Sequence, residues 1–263
     1  MDEFVFEKKK KRVRGRFLLW SGAFFVLGAV LIGSFYFVLN SSLFKVKGFE
    51  VGESRYTPRE TLLAALNADM IGRSGFLSIL GPDNILFWEF SDKPETLDNL
   101  PLVARVSVET NLTGGKIAVK AEERDFSGIW CLKSGDCYAF DDNGVIFARA
   151  PEAEGALILK VSDENDRPLI LGNPFFVNSV WRENLFKTWE IMRDRGLVIS
   201  RVVVKNLTLE EWEIKTAAGP VFQFNLNFMP SNLEKILDNL DEKFDFDKVT
   251  YFDFRIENRI YYK

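Results

Sequence analysis

The stretch that decides the architecture is "FLLWSGAFFVLGAVLIGSFYFVL", Phe17 to Leu39, twenty-three residues without a charge. At about 1.5 Å per helical residue such a run reaches roughly 34 Å, enough to cross the hydrocarbon core of a bilayer. A buried core helix rarely avoids every charge for so long. A cleavable signal peptide shares the pattern of a basic flank and an apolar run, but its apolar region is shorter, and no Ala-x-Ala-like site follows here. The run therefore predicts a transmembrane helix over 17–39, with the lipid bilayer as its partner.

On the N-terminal side, residues 1–16 form a basic tail, carrying seven basic residues (Lys8, Lys9, Lys10, Lys11, Arg12, Arg14 and Arg16) against three acidic ones. Only Lys45 and Lys47 follow soon after the span. The positive-inside rule then places the N-terminus in the cytoplasm and everything from Asn40 onward outside, a single-pass protein of the cytoplasmic (inner) membrane. Trp20 and Tyr36 sit where interfacial aromatics anchor a span.

Beyond the span the chain is acidic, since the total of −4 includes a positive tail, and that argues against nucleic acid as a partner. The chain has no histidine, so zinc-protease, serine-triad and cysteine–histidine chemistry is excluded. No cofactor motif survives either. "TGGK" (113–116) lacks the glycine and hydroxyl spacing of a phosphate loop, and Asp141, Asp142 and Asn143 lack the remaining ligand spacing of a calcium loop. We expect no catalytic, metal or cofactor site, hence no enzyme.

What remains reads as two α+β domains, 43–123 and 124–263. In the first, "LFKVKGFEVG" (43–52) alternates as a strand. "YTPRETLLAALNADMIG" predicts a helix with Thr57 as N-cap, Pro58 at the first helical position and Glu60 closing a capping box. An irregular stretch, 73–101, holds one short helical turn at "NILFWEF" and another near "PETLDNLP". "LVARVSVET" and "KIAVKAEE" then form a hairpin through "NLTGG". The layout is a three-stranded sheet with helices on one face.

In the second, short strands are expected at "GIWCLK", "CYAFDD", "GVIFAR", "ALILKV" and "RPLILG", with a tight turn at "DDNG". An amphipathic helix ending at Gly196, three more strands, a helix opened by a Ser231–Glu234 capping box, and closing strands in "VTYFDFRIENRIYYK" complete a mostly antiparallel sheet with two helices. In the closing segment Phe252, Phe254 and Ile256 alternate onto one face, leaving Asp253 and Arg255 on the other; Asn258 and Arg259 turn into a last short strand, Ile260–Lys263. Cys131 and Cys137 flank a predicted hairpin. Outside the cytoplasm a disulfide between them is permitted, and free thiols are the alternative.

These pieces in this order resemble the FtsQ/DivIB family of bacterial cell-division proteins. The resemblance rests on the basic tail and single span, on "FKVKGFEV" as the entry strand of a POTRA domain, and on Glu123 and Arg124 leading to Trp130. It rests also on "CYAFDDNGVIF" and on Asp253, Phe254 and Arg255 in the closing strands. It implies a non-enzymatic scaffold of the divisome, acting in septum formation, whose β domain binds FtsB/DivIC-like and FtsL-like coiled-coil proteins and other divisome membrane proteins. The implied mode is a partner strand added at the C-terminal sheet edge, which makes Tyr251, Asp253, Arg255, Ile256, Asn258, Ile260 and Tyr261 the candidate contact residues. Two other classes are the alternatives: a POTRA-bearing transport or secretion component, and a membrane-anchored cell-wall enzyme working with carboxylates alone.

Overall fold

A computed structural model describes residues 3–152, 158–165 and 167–263, with side chains described from Gly22 onward. The chain divides into two compact units interleaved in sequence. The first comprises Met1–Ser54, Pro58–Glu95 and Val106–Ala121; the second comprises Arg55–Thr57, Thr96–Arg105 and Glu122–Lys263.

The first unit opens with α1 (Glu3–Asn40), which extends the predicted span at both ends, so the backbone of the basic tail is helical from Glu3. The side chains of that tail and of Trp20 lie outside the described residues. From Gly22 to Asn40 the helix is long and apolar enough to cross a membrane, and none of that window is buried against protein. This supports a single-pass membrane protein.

After a 3-10 turn at Ser42–Phe44 come β1 (Gly48–Val51), α2 (Arg59–Arg73), a 3-10 segment (Gly75–Ile79), α3 (Ile85–Phe90), β2 (Val103–Asn111) and β3 (Lys116–Glu123), the first residues of β2 up to Arg105 and the last two of β3 being counted with the second unit. The strands order β1-β3-β2, with β1 parallel to β3. Leu62, Leu66 and Met70, spaced four apart on α2, are fully buried, as are Phe87 and Trp88 of α3 and Ile117 and Val119 of β3. Asn84 caps α3 by accepting from the Leu86 amide at 3.0 Å, in agreement with the helical turn read from "NILFWEF".

Three local expectations fail here. Pro58 is extended (ψ 142°) and precedes α2 rather than starting it, and the Thr57 hydroxyl, expected to cap, is buried without a hydrogen-bond partner. The Glu123 carboxylate explains the displacement: it accepts from the amides of Arg55 (2.9 Å), Tyr56 (3.0 Å) and Thr57 (2.7 Å), holding the chain extended up to the proline. The segment "PETLDNLP" forms turns and no helix.

The second unit is a nine-stranded sheet in the order β12-β11-β10-β9-β8-β7-β4-β5-β6. In chain order these are β4 (Gly128–Leu132), β5 (Cys137–Phe140), β6 (Ile146–Ala150), β7 (Leu159–Asp163), β8 (Ile199–Asn206), β9 (Glu211–Thr216), β10 (Val221–Asn225), β11 (Tyr251–Asp253) and β12 (Tyr261–Tyr262). Helix α4 (Ser179–Asp194) lies between β7 and β8, and α5 (Leu233–Lys243) between β10 and β11. Five of the eight pairings are antiparallel; β4–β7, β7–β8 and β10–β11 are parallel. The sheet is thus mixed: α4 supplies the crossover between the parallel strands β7 and β8 and α5 that between β10 and β11, while β4 and β7 are connected through β5 and β6.

Trp130, Phe140, Phe175, Trp212, Phe222, Phe252 and Phe254 join Leu185, Met192, Leu233 and Leu237 of the two helices in one core. Cys131 and Cys137 stand opposite each other on β4 and β5 and are joined as a disulfide, on the sheet face away from Trp130.

Two expectations change, and a third falls in part outside the described residues. "RPLILG" makes no strand: the Arg167 guanidinium donates to Asp163 (2.8 Å) and to the Phe175 carbonyl (2.5 Å), and the chain crosses to the edge of β6. Asn232, in a left-handed conformation (φ 58°), precedes α5 in place of Ser231, with no side-chain cap. The first residues of "ALILKV" fall in part outside the described residues, and β7 begins at Leu159.

Candidate partner-binding edge

A sheet of nine strands has two edges, and they differ. At β6 the outer side is engaged where the strand begins: the Ile146 amide donates to the Asn173 carbonyl (2.9 Å), the Gly172 amide donates to the Ile146 carbonyl (2.7 Å), and Val145 bridges Pro174. At β12 no such cover exists among the described residues, and Ile260, Tyr261 and Tyr262 are all exposed. The structure therefore makes the later of the two closing strands the outer one.

The terminal hairpin is built from its aromatic face upward. Phe222, Phe224, Phe252 and Phe254 are buried and stacked, with the Phe224 and Phe254 rings 5.3 Å apart, and they fix the register of β11 on β10. Phe244, just past α5, lies 4.6 Å from the Tyr262 ring and 5.7 Å from Phe252. Ile256 does not continue this buried alternation: it is 52% exposed, because the chain leaves the sheet after Phe254 to turn. Asn258 takes the positive φ of that turn (61°), and the Arg259 amide donates to the Ile256 carbonyl at 3.2 Å.

The opposite face carries an ion-pair clamp. Asp253 accepts from Arg255 through its amide (3.0 Å), Nε (2.9 Å) and Nη2 (2.7 Å), and Arg255 Nη1 donates to Glu211 at 2.5 Å. The Arg255 guanidinium holds the Asp253 carboxyl below its ordinary range, against the opposing effect of partial burial. Arg255 in turn holds its proton more tightly than usual, chiefly through Asp253. The clamp ties β11 to β9 across β10.

Phe252 pairs with Tyr262 and Asp253 with Tyr261. The Lys263 amide donates to the Tyr251 carbonyl and the Thr250 amide donates to the Lys263 carbonyl (2.6 Å). Alternation along an antiparallel strand then points the amide and carbonyl of Tyr262 away from β11, into open space. Beside the turn a cavity of about 190 Å³ is lined by Phe228, Met229, Ile236, Phe254, Ile256 and Asn258.

All seven sequence-selected residues fall in this hairpin. Tyr251, Asp253 and Arg255 share the clamp face; Ile256, Asn258 and Ile260 form the connection; Tyr261 lies on the edge strand opposite Asp253. Sequence reasoning missed Tyr262, the residue with the outward main chain, although its place after the turn was readable. It also missed Glu211, forty-four residues from Arg255, for which no local signal exists. No group of three or more carboxylates and cysteines placed to hold a metal occurs among the described residues.

The Glu123–Arg124 pair divides its labour. While Glu123 holds residues 55–57, Arg124 donates to Asp141 (2.5 Å) and to the Pro101 carbonyl (2.8 Å). Asp141 also accepts from the amides of Asn143 (3.0 Å) and Val145 (2.8 Å), which closes the "DDNG" turn. No protein-family profile matches the chain, and no curated protein matches it.

Proposed function

We propose that this protein is a membrane-anchored, non-enzymatic scaffold of the FtsQ/DivIB kind, whose second unit captures a partner by strand addition on β12 in bacterial cell division. One observation carries the reading: a bare two-residue edge strand offers an outward amide and carbonyl at Tyr262, whereas the opposite edge is engaged where β6 begins, at Ile146. In strand addition, main-chain hydrogen bonds supply affinity and alternate side chains supply selectivity. Tyr261 and Tyr262 would meet the alternate partner side chains, and the cavity beside Ile256 has room for an apolar anchor. The partners of this reading are FtsB/DivIC-like and FtsL-like coiled-coil proteins. The N-terminus is cytoplasmic, and both folded units lie outside the cytoplasmic membrane.

The test uses the full chain in detergent and an FtsB/DivIC-like protein from the same genome. Tyr262→Pro removes the outward amide while leaving the β11-facing groups of Tyr261 and Lys263 in place. Co-purification should be lost or reduced at least tenfold while near-ultraviolet circular dichroism is retained. Undiminished capture by this variant and by Ile256→Asp would refute strand addition here, and peptidoglycan cleavage by the purified chain would refute the non-enzymatic reading.

A further inference from the structure

The first unit is fastened to its own helix close to the membrane surface. The Asn84 side-chain amide donates to the Val38 carbonyl at 2.9 Å, the Val46 amide donates to the Asp83 carbonyl at 2.8 Å, and Lys45 bridges Asn84. Val38 lies within the uncharged run that ends at Leu39. A run of roughly 34 Å across a hydrocarbon core of about 30 Å puts Val38 within a few ångströms of the core boundary. Asn84 therefore sits at the depth of the lipid headgroups.

The surface around Asn84 is not that of a water-facing loop. Leu43 is 71% exposed in the 3-10 turn that leaves α1, Phe76 76% and Ile79 53% in the 3-10 segment that follows α2. The five residue-to-residue steps from Ile79 to Asn84 span at most about 17 Å, and two tight turns shorten the link: the Gly81 amide donates to the Ser78 carbonyl (3.1 Å) and the Asn84 amide to the Gly81 carbonyl (3.1 Å). Lys45 and Lys47, both exposed, lie on the same membrane-proximal segment and match the anionic phosphates of that layer. Apolar side chains with cations beside them, set at headgroup depth by a hydrogen bond to the anchor helix, are the chemistry of an interfacial membrane contact.

We propose that Leu43, Phe76 and Ile79 form a lipid-inserted foot, buried in the headgroup–acyl boundary of the leaflet on the folded side, with Lys45 and Lys47 against lipid phosphates. The foot gives the first unit a second hold on the bilayer and limits how far it tilts about the end of α1. The proposal rests on the reading that α1 spans the membrane.

The full chain, reconstituted in mixed phosphatidylcholine and phosphatidylglycerol vesicles, is labelled with an environment-sensitive fluorophore at Phe76→Cys, Ile79→Cys, Ser78→Cys or Val30→Cys, one site at a time; the native cysteines are joined and do not react. Labels at 76 and 79 should emit to the blue of the glutathione-conjugated dye, be quenched by lipids spin-labelled near the headgroup, and resist aqueous iodide. The label at 78 should lose at least half of its protection from iodide when Phe76→Ser and Ile79→Ser are added, which separates the foot from insertion driven by the dye. Iodide access at 76 and 79 equal to that of the conjugate, or a label at 78 indifferent to the double serine change, overturns the foot. The label at 30 reports the span itself: quenching by lipids spin-labelled at the acyl end upholds it, and its absence overturns both readings.

Discussion

Removing the charge of Asp141 should reveal how strongly Arg124 and Asp141 depend on each other. The side chains are 13% and 3% exposed, and the guanidinium has one carboxylate and one carbonyl as partners. Asp141→Ala strips Arg124 of its counter-charge and leaves the amides of Asn143 and Val145 without acceptors. Breaking a buried pair costs about 3–5 kcal/mol, and each lost amide bond about 1 kcal/mol more. Asp141→Asn keeps an acceptor for both amides and should cost about 3 kcal/mol. Arg124→Met leaves a carboxylate still served by those two amides and should cost about 2 kcal/mol. The Arg124→Met/Asp141→Asn double variant should fall short of the sum by about 2 kcal/mol, since the second change removes a charge already stranded by the first. Urea unfolding of the full chain in detergent, followed by tryptophan emission and near-ultraviolet circular dichroism, gives the cycle once the two probes coincide. Additivity within about 0.5 kcal/mol would refute the pairing as an energetic unit.

Asp253 has a depressed pKa in the folded chain, so its contribution is present above its ordinary value of 3.8 and is lost as pH falls further. The stability difference between the parent and Asp253→Asn should accordingly shrink below about pH 4 in acid titrations followed by circular dichroism. Replacing both cysteines by serine should cost about 2 kcal/mol, the value expected for so short a loop, and leave partner capture unchanged. The bridge lies six strands, roughly 29 Å, from β12, so altered capture in a pull-down would contradict the placement of the site. Phe252→Ala, which empties the stack beneath the hairpin, should destabilise the second unit by about 3–5 kcal/mol in thermal melts.

Features governed by local chemistry were legible in the sequence. A charge-free run, the period-four stripe of Leu62, Leu66 and Met70, the Asn143–Gly144 turn and the alternation of Phe252 and Phe254 all act within a few residues. What escaped depends on distant partners. Glu123 overrides the Thr57 capping box from sixty-six residues away, and Arg167 finds the Phe175 carbonyl where a strand was expected. Three parallel pairings arise because a crossover, which alternation does not encode, chooses the neighbour. At the candidate edge the pattern of Asp253 and Arg255 was visible, but the outward main chain of Tyr262 depends on register, and a shift of one residue would reverse it.

The parallel pairing of β11 on β10 bears on when the edge comes into being. Residues 251–253 reach their place only after α5 has crossed back over the sheet, and β12 pairs with β11 alone. Every other strand of the second unit precedes them in the chain, so a molecule still emerging from its ribosome or translocon has no docking strand to offer. A partner that binds at β12 would thereby discriminate molecules whose second unit has closed from those in which it is still open, without any separate device for inspection.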